Sequence, residues 1–269
     1  MNLYVSDLDG TLLNKNAELS EYTKTNLNKL LDSKLNFSIA TARTPATVVP
    51  ILSSLNINLP IVVMNGAAIY DIKNNKYLSY NKIPSDIVEK ISLILSKNET
   101  TTFSYTLYNN HINAYYTKSN NYIQENFIKA HSGGPFKTFI ESPVPKDSDV
   151  LYFFLMDNKE NILNIEKEIK NIEGIYYVAY EDTYNTDLFN LEIYSCKSSK
   201  ANSIKKLMDD LNFDRLISFG DNLNDIPMFE ISDECYAVKN ASPKLKKLST
   251  SIIDSNINDG VIKYIQSTL

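Results

Sequence analysis

Short, nearly continuous apolar runs recur along the first quarter of this chain, and each ends in a polar or glycine-bearing turn. Leu3-Tyr4-Val5 leads to Asp7-Leu8-Asp9-Gly10-Thr11. Phe37-Ser38-Ile39-Ala40 leads to Thr41-Ala42-Arg43-Thr44-Pro45, and Pro60-Ile61-Val62-Val63-Met64 to Asn65-Gly66-Ala67. Runs of this kind read as strands buried on both faces, as in parallel sheets. Between them the spacing becomes helical. Ser20 is a candidate N-cap for a helix keeping Thr23, Leu27, Leu30 and Leu31 in register, and Pro45 suits the first turn of a helix running to about Leu55. Strand and helix alternating in this way predict right-handed βαβ units and a sheet covered on both faces.

The rhythm changes near Tyr77. From about 82 to 186 the pattern predicts a helix (85–97), two strands rich in Tyr and Thr (101–107, 112–117) and a helix from Ser119 to Ala130. A loop with Gly133-Gly134-Pro135 follows, then a strand (150–156), a helix (159–172) and a strand (175–180). Hairpin-like pairs alternating with helices describe an α+β module with an antiparallel sheet, inserted into the parallel one. Parallel features return with a strand at 189–193 and a helix opening near Lys200 with Ile204, Leu207, Met208 and Leu211 on one face. A buried strand at 216–219 then ends in Gly220-Asp221-Asn222-Leu223-Asn224-Asp225. A helix starting within 224–230, a strand at 235–238, a helix at Pro243, a strand at 251–253 and a terminal helix opened by Asp259-Gly260-Val261 complete the pattern. The expected fold is α/β, a Rossmann-like doubly wound parallel sheet built from residues 1–82 and 187–269, with residues 83–186 as the inserted module.

Composition narrows the function. Of 269 residues, 43% are hydrophobic and 22% charged, enough apolar material for a core of ordinary globular type. Net charge is −5 without a block of like charges, and Lys244-Leu245-Lys246-Lys247 reads as a short solvated helix face, so no nucleic-acid partner is expected. Cys196 and Cys235 lack CxxC spacing, and His111 and His131 have no ligand-type neighbours, which argues against a zinc site or a disulfide framework. No apolar run reaches the roughly 18 residues a bilayer requires, and the chain enters its first strand directly, so no membrane partner and a cytoplasmic location are expected. Oligomeric state leaves no signature. With only seven glycines in the chain, Gly10, Gly66 and Gly220, each closing an apolar run, carry more meaning than glycines elsewhere would.

Asp7 and Asp9 stand two residues apart at the end of a buried strand, where ionised carboxylates are costly unless a cation receives them. A hard divalent cation such as Mg²⁺ is the natural partner; an Asp-Gly turn carrying a second Asp is the plainer alternative. Loops at the carboxyl ends of parallel strands share one edge, so Asp7, Asp9, Thr41, Lys200, Asp221, Asn224 and Asp225 can converge there. Four carboxylates, a lysine and a hydroxyl suit Mg²⁺ together with a phosphate. Each residue has a simpler reading beside this one. Thr41 can cap the next helix, Asn224 can cap its own, Asp225 can be a surface first-turn acid, and Arg43 can be a helix-start surface residue instead of a substrate contact. Lys197 competes with Lys200. Tyr105, Tyr108, Tyr115 and Tyr116 fit β packing better than a sugar-stacking platform.

Asp7-Leu8-Asp9-Gly10-Thr11, Ala40-Thr41-Ala42-Arg43, the helix-opening Lys200 and the stretch from Phe219 to Met228 together resemble the four motifs of the haloacid dehalogenase-like hydrolases. The insert between Asn65-Gly66-Ala67 and Lys200, with Asn258-Asp259-Gly260-Val261 near the C-terminus, makes the chain similar to the Cof-type sugar-phosphate phosphatases, whose insert is a C2-type α+β cap. The resemblance implies a phosphatase for a small phosphorylated metabolite, dependent on Mg²⁺. Asp7 would be the nucleophile that becomes an aspartyl phosphate, and Asp9 the general acid and then base. Asp7, Asp221 and the Asp9 backbone carbonyl would hold the metal. Thr41, Arg43, Asn65, Gly66, Lys200 and Asn224 would line the phosphate and substrate side, and Asp225 would orient Lys200 or the metal's waters. A phosphomutase or phosphotransferase sharing the aspartyl phosphate is the alternative, and a phospho-accepting signalling protein a more distant one. Ala42 and Ala201 stand where the subfamily usually has glycine.

Overall fold

The computed structural model describes residues 1–98, 100–117, 122–182 and 187–269. The expected helix start at Ser119 and the module boundary at Thr186 lie outside the described residues. Two compact units emerge, one made of Met1–Ser79 with Ser199–Leu269 and the other of Tyr80–Ser198.

In chain order the first unit begins β1 (Asn2–Ser6), α1 (Glu21–Asp32), β2 (Phe37–Ile39), α2 (Pro45–Leu52), β3 (Ile61–Val63), β4 (Ala68–Asp71) and β5 (Lys76–Tyr80). The second unit contains α3 (Ser85–Leu95), β6 (Thr102–Tyr108), β7 (His111–Tyr116), α4 (Tyr122–His131), β8 (Lys137–Glu141), β9 (Val150–Asp157), α5 (Lys159–Ile169), β10 (Ile175–Glu181) and β11 (Phe189–Ser195). The chain then completes the first unit with α6 (Lys200–Leu211), β12 (Arg215–Gly220), α7 (Ile226–Glu230), β13 (Glu234–Val238), α8 (Pro243–Leu248), β14 (Ser251–Ile253) and α9 (Gly260–Thr268).

The first unit is built on a parallel sheet in the order β14-β13-β12-β1-β2. An Ala40–Val62 bridge carries the parallel pairing on to β3, which also opens a three-stranded sheet with β4 and β5. The strands are parallel because each pair is separated by a helical crossover, and Leu3, Val5, Phe37, Ile39, Val62 and Phe219 are fully buried as strands covered on both faces must be. Ser20 caps α1 by accepting the Thr23 N–H, and Thr23, Leu27 and Leu31 form its buried face. Pro45 opens α2 as expected, but that helix stops at Leu52, three residues early. The hairpin β4–β5 is an addition to the expected pattern.

The second unit is a mixed sheet in the order β10-β11-β9-β6-β7-β8, antiparallel except for β7 with β8. Ile87, Ile91 and Leu95 of α3 and Ile162, Ile165 and Ile169 of α5 pack with Phe153, Leu155, Leu191 and Ile193. The opposite face is aromatic. Tyr105 stacks on Tyr152 at 4.3 Å and Tyr152 on Tyr194 at 5.0 Å, while Phe103, Phe127, Phe139 and Phe154 cluster beside them. Tyr105 and Tyr116 therefore take part in ring packing within the sheet, whereas Tyr108 is largely exposed. One expectation is corrected. The strand at 189–193 belongs to this sheet, antiparallel to both β10 and β9, and the division between units falls after Ser198. Phe189, Leu191 and Ile193 alternate with Asn190 and Glu192, the period-2 pattern of antiparallel strands, whereas a strand followed by a helix suggested a βα unit of the parallel sheet. Strand β8, after the Gly133-Gly134-Pro135 loop, is a further addition to the expected pattern.

Candidate active site

Strand order reverses at β1, which lies between β2 and β12, and the loops leaving these strands open a crevice at their carboxyl ends. Asp7 follows β1 directly; its N–H is tied to the Phe219 carbonyl at 2.9 Å and its side chain is buried. Lys200 is the first residue of α6 and is itself buried, with Nζ donating to Asp7 Oδ1 and Asp225 Oδ1, each at 2.6 Å. Asp225 is completely buried, and its Oδ2 accepts the backbone N–H groups of Asp221 (3.0 Å) and Asn222 (3.1 Å). Asp221 accepts a hydrogen bond from Thr11 Oγ1 at 3.3 Å. Gly10 (φ +76°) makes the approach possible, because a Cβ there would lie 2.3 Å from Asp221 Oδ2.

Carboxylate oxygens of Asp7, Asp221 and Asp225 lie within 4.8 Å of one another, a donor set able to hold a metal ion. Burial, reinforced by the Asp225 charge, raises the Asp7 carboxyl well above the usual range despite Lys200. The same two causes push Asp221 up to about 7. For Lys200 burial acts downward, but Asp225 and Asp7 together outweigh it and its pKa is raised. When ionised, three carboxylates face one ammonium, leaving two negative charges uncompensated. A divalent cation fits this deficit and these hard oxygen donors. Since hydrogen-bond donors engage both Asp225 oxygens, Asp7 and Asp221 are the carboxylates left to receive it.

Around this cluster the remaining expected residues take defined places. Asp9 is held by Arg43 through two bonds, Nε to Oδ2 at 2.7 Å and Nη2 to Oδ1 at 2.6 Å. Arg43 is thus not a bare surface residue. Thr41 is buried; its Oγ1 accepts the Arg43 N–H at 3.1 Å, and no acceptor for its own O–H occurs among the described residues. The helix-cap reading of Thr41 fails because Thr44 occupies that position. Asn224 likewise is not a cap: it lies inside a 3₁₀ turn, Leu223–Asp225, whose cap is Asn222 in a reciprocal capping box with Asp225, and Asp225 precedes α7. Asn224 Nδ2 instead meets Asn65 Oδ1 at 3.3 Å. Asp225 is no surface acid, and Lys197 is exposed in the second unit, so Lys200 alone of the two lysines joins the cluster.

Met64, Asn65 and Gly66 have successive positive φ values of 52°, 50° and 91°. Left-handed backbone at two non-glycine residues costs on the order of 1–3 kcal/mol each and collects at functional sites. This turn brings Gly66 against the start of α6, where its carbonyl accepts Ser203 Oγ at 2.8 Å. Two supports were not foreseen. Asn240 Nδ2 donates to the Gly10 carbonyl at 2.7 Å while its Oδ1 accepts the Asn256 N–H at 3.1 Å. Asn256 Nδ2 in turn reaches the Leu13 carbonyl at 2.8 Å. An Asn two residues beyond β13, at the same edge of the sheet, was the available signal for the first.

A parallel sheet whose carboxyl edge gathers two aspartate-bearing loops around a buried lysine is an arrangement suited to phosphoryl chemistry. The sequence profile of haloacid dehalogenase-like hydrolases matches residues 4–265, and the chain belongs to that family as one of its enzymes. A Buchnera aphidicola (subsp. Baizongia pistaciae) protein with a provisional phosphatase name is 32% identical, over 98% of this chain and 96% of its own. The Bacillus subtilis protein named 5-amino-6-(5-phospho-D-ribitylamino)uracil phosphatase YwtE is 27% identical over 100% of this chain and 98% of its own. Among solved structures, a haloacid dehalogenase-like hydrolase from Bacteroides thetaiotaomicron shares the fold with a TM-score of 0.81 at 21% identity, covering 100% of this chain and 99% of that one.

Proposed function

We propose that this protein is a phosphatase for small phosphate monoesters, with sugar phosphates or related metabolites as substrates, acting through an aspartyl phosphate on Asp7. The observation that carries the reading is the buried Lys200 held between Asp7 and Asp225 beside Asp221, with two negative charges left over for a divalent cation to answer. Lys200 fixes Asp7 Oδ1, leaving the other oxygen to attack phosphorus. As that O–P bond forms, the ester P–O bond breaks and Asp9 gives its proton to the leaving oxygen. Asp9 then takes a proton from water, which attacks the same phosphorus; inorganic phosphate leaves and the Asp7 carboxylate is restored. The third Lys200 N–H, the Thr41 hydroxyl and Asn224 are the donors available to phosphate oxygens, with Asn65 and Gly66 shaping the turn beside them. Mg²⁺ would be held by Asp7, Asp221 and the Asp9 carbonyl, and when bound it supplies charge stabilisation for the phosphoryl oxygens. The relative named for a phosphorylated ribitylamino compound supports a polyol or sugar phosphate as substrate class.

The test is a panel of phosphorylated metabolites assayed for phosphate release with Mg²⁺, with chelator, and with the Asp7→Asn variant. Release that needs Mg²⁺ and is abolished in Asp7→Asn is expected. Turnover by Asp7→Asn would remove Asp7 from the reaction. Transfer to a second metabolite without free phosphate would favour the phosphomutase or phosphotransferase alternative.

A further inference from the structure

The fork-to-fork pairing of Arg43 with Asp9 is not explained by phosphate binding. Both Asp9 oxygens are engaged, by Nε at 2.7 Å and Nη2 at 2.6 Å, although the Asp9 side chain is 42% exposed and the Arg43 side chain 21%. Arg43 is anchored at its own backbone: its N–H goes to Thr41 Oγ1 at 3.1 Å and its carbonyl accepts the Met64 N–H at 3.0 Å. Asp9 is anchored too, since the next residue, Gly10, is held through its carbonyl by Asn240. Two rigid backbones therefore fix the direction of one partly exposed carboxylate. Meanwhile the three carboxylates that crowd together are Asp7, Asp221 and Asp225, and Asp9 is not among them. A planar guanidinium can set a carboxylate's orientation through two parallel bonds, which a lysine's point charge cannot.

We infer that Arg43 is a positioning residue for Asp9. It keeps this fourth carboxylate out of the lysine and metal cluster and presents it toward the leaving oxygen. The inference rests on the proposed acid–base role of Asp9. During proton transfer one of the two contacts opens while the other still holds the carboxylate, so orientation survives the step.

The test compares kcat/KM for an alkyl phosphate, whose leaving oxygen needs a proton, with that for p-nitrophenyl phosphate, whose leaving group does not. Arg43→Met is expected to lose roughly 10- to 100-fold on the alkyl ester and only a few-fold on the aryl ester, within the range of general acid catalysis. Asp9→Asn should show the same selectivity more strongly. The double variant should be no worse than Asp9→Asn, because a residue that acts through Asp9 has nothing left to position. Added guanidinium should restore part of the alkyl activity to Arg43→Ala and none to Asp9→Asn. Arg43→Lys, which preserves charge and bulk, serves if the larger change prevents folding, and it should still lose selectively on the alkyl ester. Equal losses on both esters, or losses that add to those of Asp9→Asn, would overturn the inference and make Arg43 a direct phosphate contact. If Asp9→Asn itself spares the alkyl ester, the acid–base role of Asp9 fails instead.

Discussion

Replacing Gly66 by alanine should damage stability and activity together. Gly66 has φ +91°, and an added Cβ would lie 2.1 Å from the Ser199 carbonyl oxygen and 2.8 Å from the Lys200 nitrogen. Both neighbours are backbone atoms, so no side chain can swing aside, and relief requires a shift of about 1 Å in the turn or in the start of α6. Left-handed backbone costs an L-residue roughly 1–2 kcal/mol and overpacking typically adds about 1–3 kcal/mol. At about 2–4 °C per kcal/mol for a protein of this size, the melting temperature should fall by roughly 5–15 °C. Because Lys200 opens α6, the displacement also moves its ammonium, and a misplacement near 1 Å can cost about 100-fold in rate. The assay is a thermal melt alongside kcat/KM on p-nitrophenyl phosphate. Gly134→Ala, where an added Cβ meets nothing within 4 Å, is the control and should match wild type. Wild-type melting and full activity in Gly66→Ala would refute the assigned packing.

Further expectations follow from the same geometry. Asn240→Ala removes the clamp on the Gly10 carbonyl and should cost about 1 kcal/mol in denaturant unfolding, with activity reduced more than that small loss of fold would explain. Burial and the Asp225 charge raise Asp221 to about 7, so its contribution to stability is fully present below about pH 4 and is lost as pH rises through about 7. Mg²⁺ requires the ionised form, so the Mg²⁺-induced rise in melting temperature should be larger near pH 8 than near pH 5; equal shifts would contradict a carboxylate site. In the second unit, Lys137 is buried among Tyr105, Phe127 and Phe139, and burial lowers it to about 8. A lowered lysine loses stability as pH falls through its folded value. Lys137→Met should therefore stabilise by up to about 3 kcal/mol at pH values below about 8, and less above about 10. Destabilisation throughout would show that the ring contacts outweigh the burial.

Much of the core was legible because its strands are short apolar runs and the chemistry sits where each run ends. Asp7, Thr41, Lys200, Asp221 and Asp225 could be brought to one edge by the topology of parallel sheets alone. What could not be read were features decided by pairing across the chain. β11 alternates Phe189, Leu191 and Ile193 with Asn190 and Glu192 and is followed by the Lys200 helix, so its antiparallel partners β9 and β10 are fixed only by pairing across the chain. Asn222 and Asn224 are equally good cap residues by type, and only the reciprocal bond with Asp225 selects the former. Arg43 offered a helix-start charge or a ligand contact, and its grip on Asp9 accompanies a backbone bond from Met64, in the turn after β3, to its own carbonyl. Gly66 was expected in a tight turn by its position and at the phosphate only by the family resemblance, whereas its contacts with Ser199 and Lys200 need coordinates.

Direct observation of the covalent intermediate tests the central claim most closely. The enzyme would be mixed with a phosphate ester and Mg²⁺, quenched in acid within a turnover, and reduced with borohydride, which converts an aspartyl phosphate to homoserine. Peptide mass spectrometry should then find homoserine at Asp7, and more of it in Asp9→Asn, where attack by water is slowed. Unmodified Asp7 throughout the time course, or modification at Asp221 or Asp225, would contradict the account.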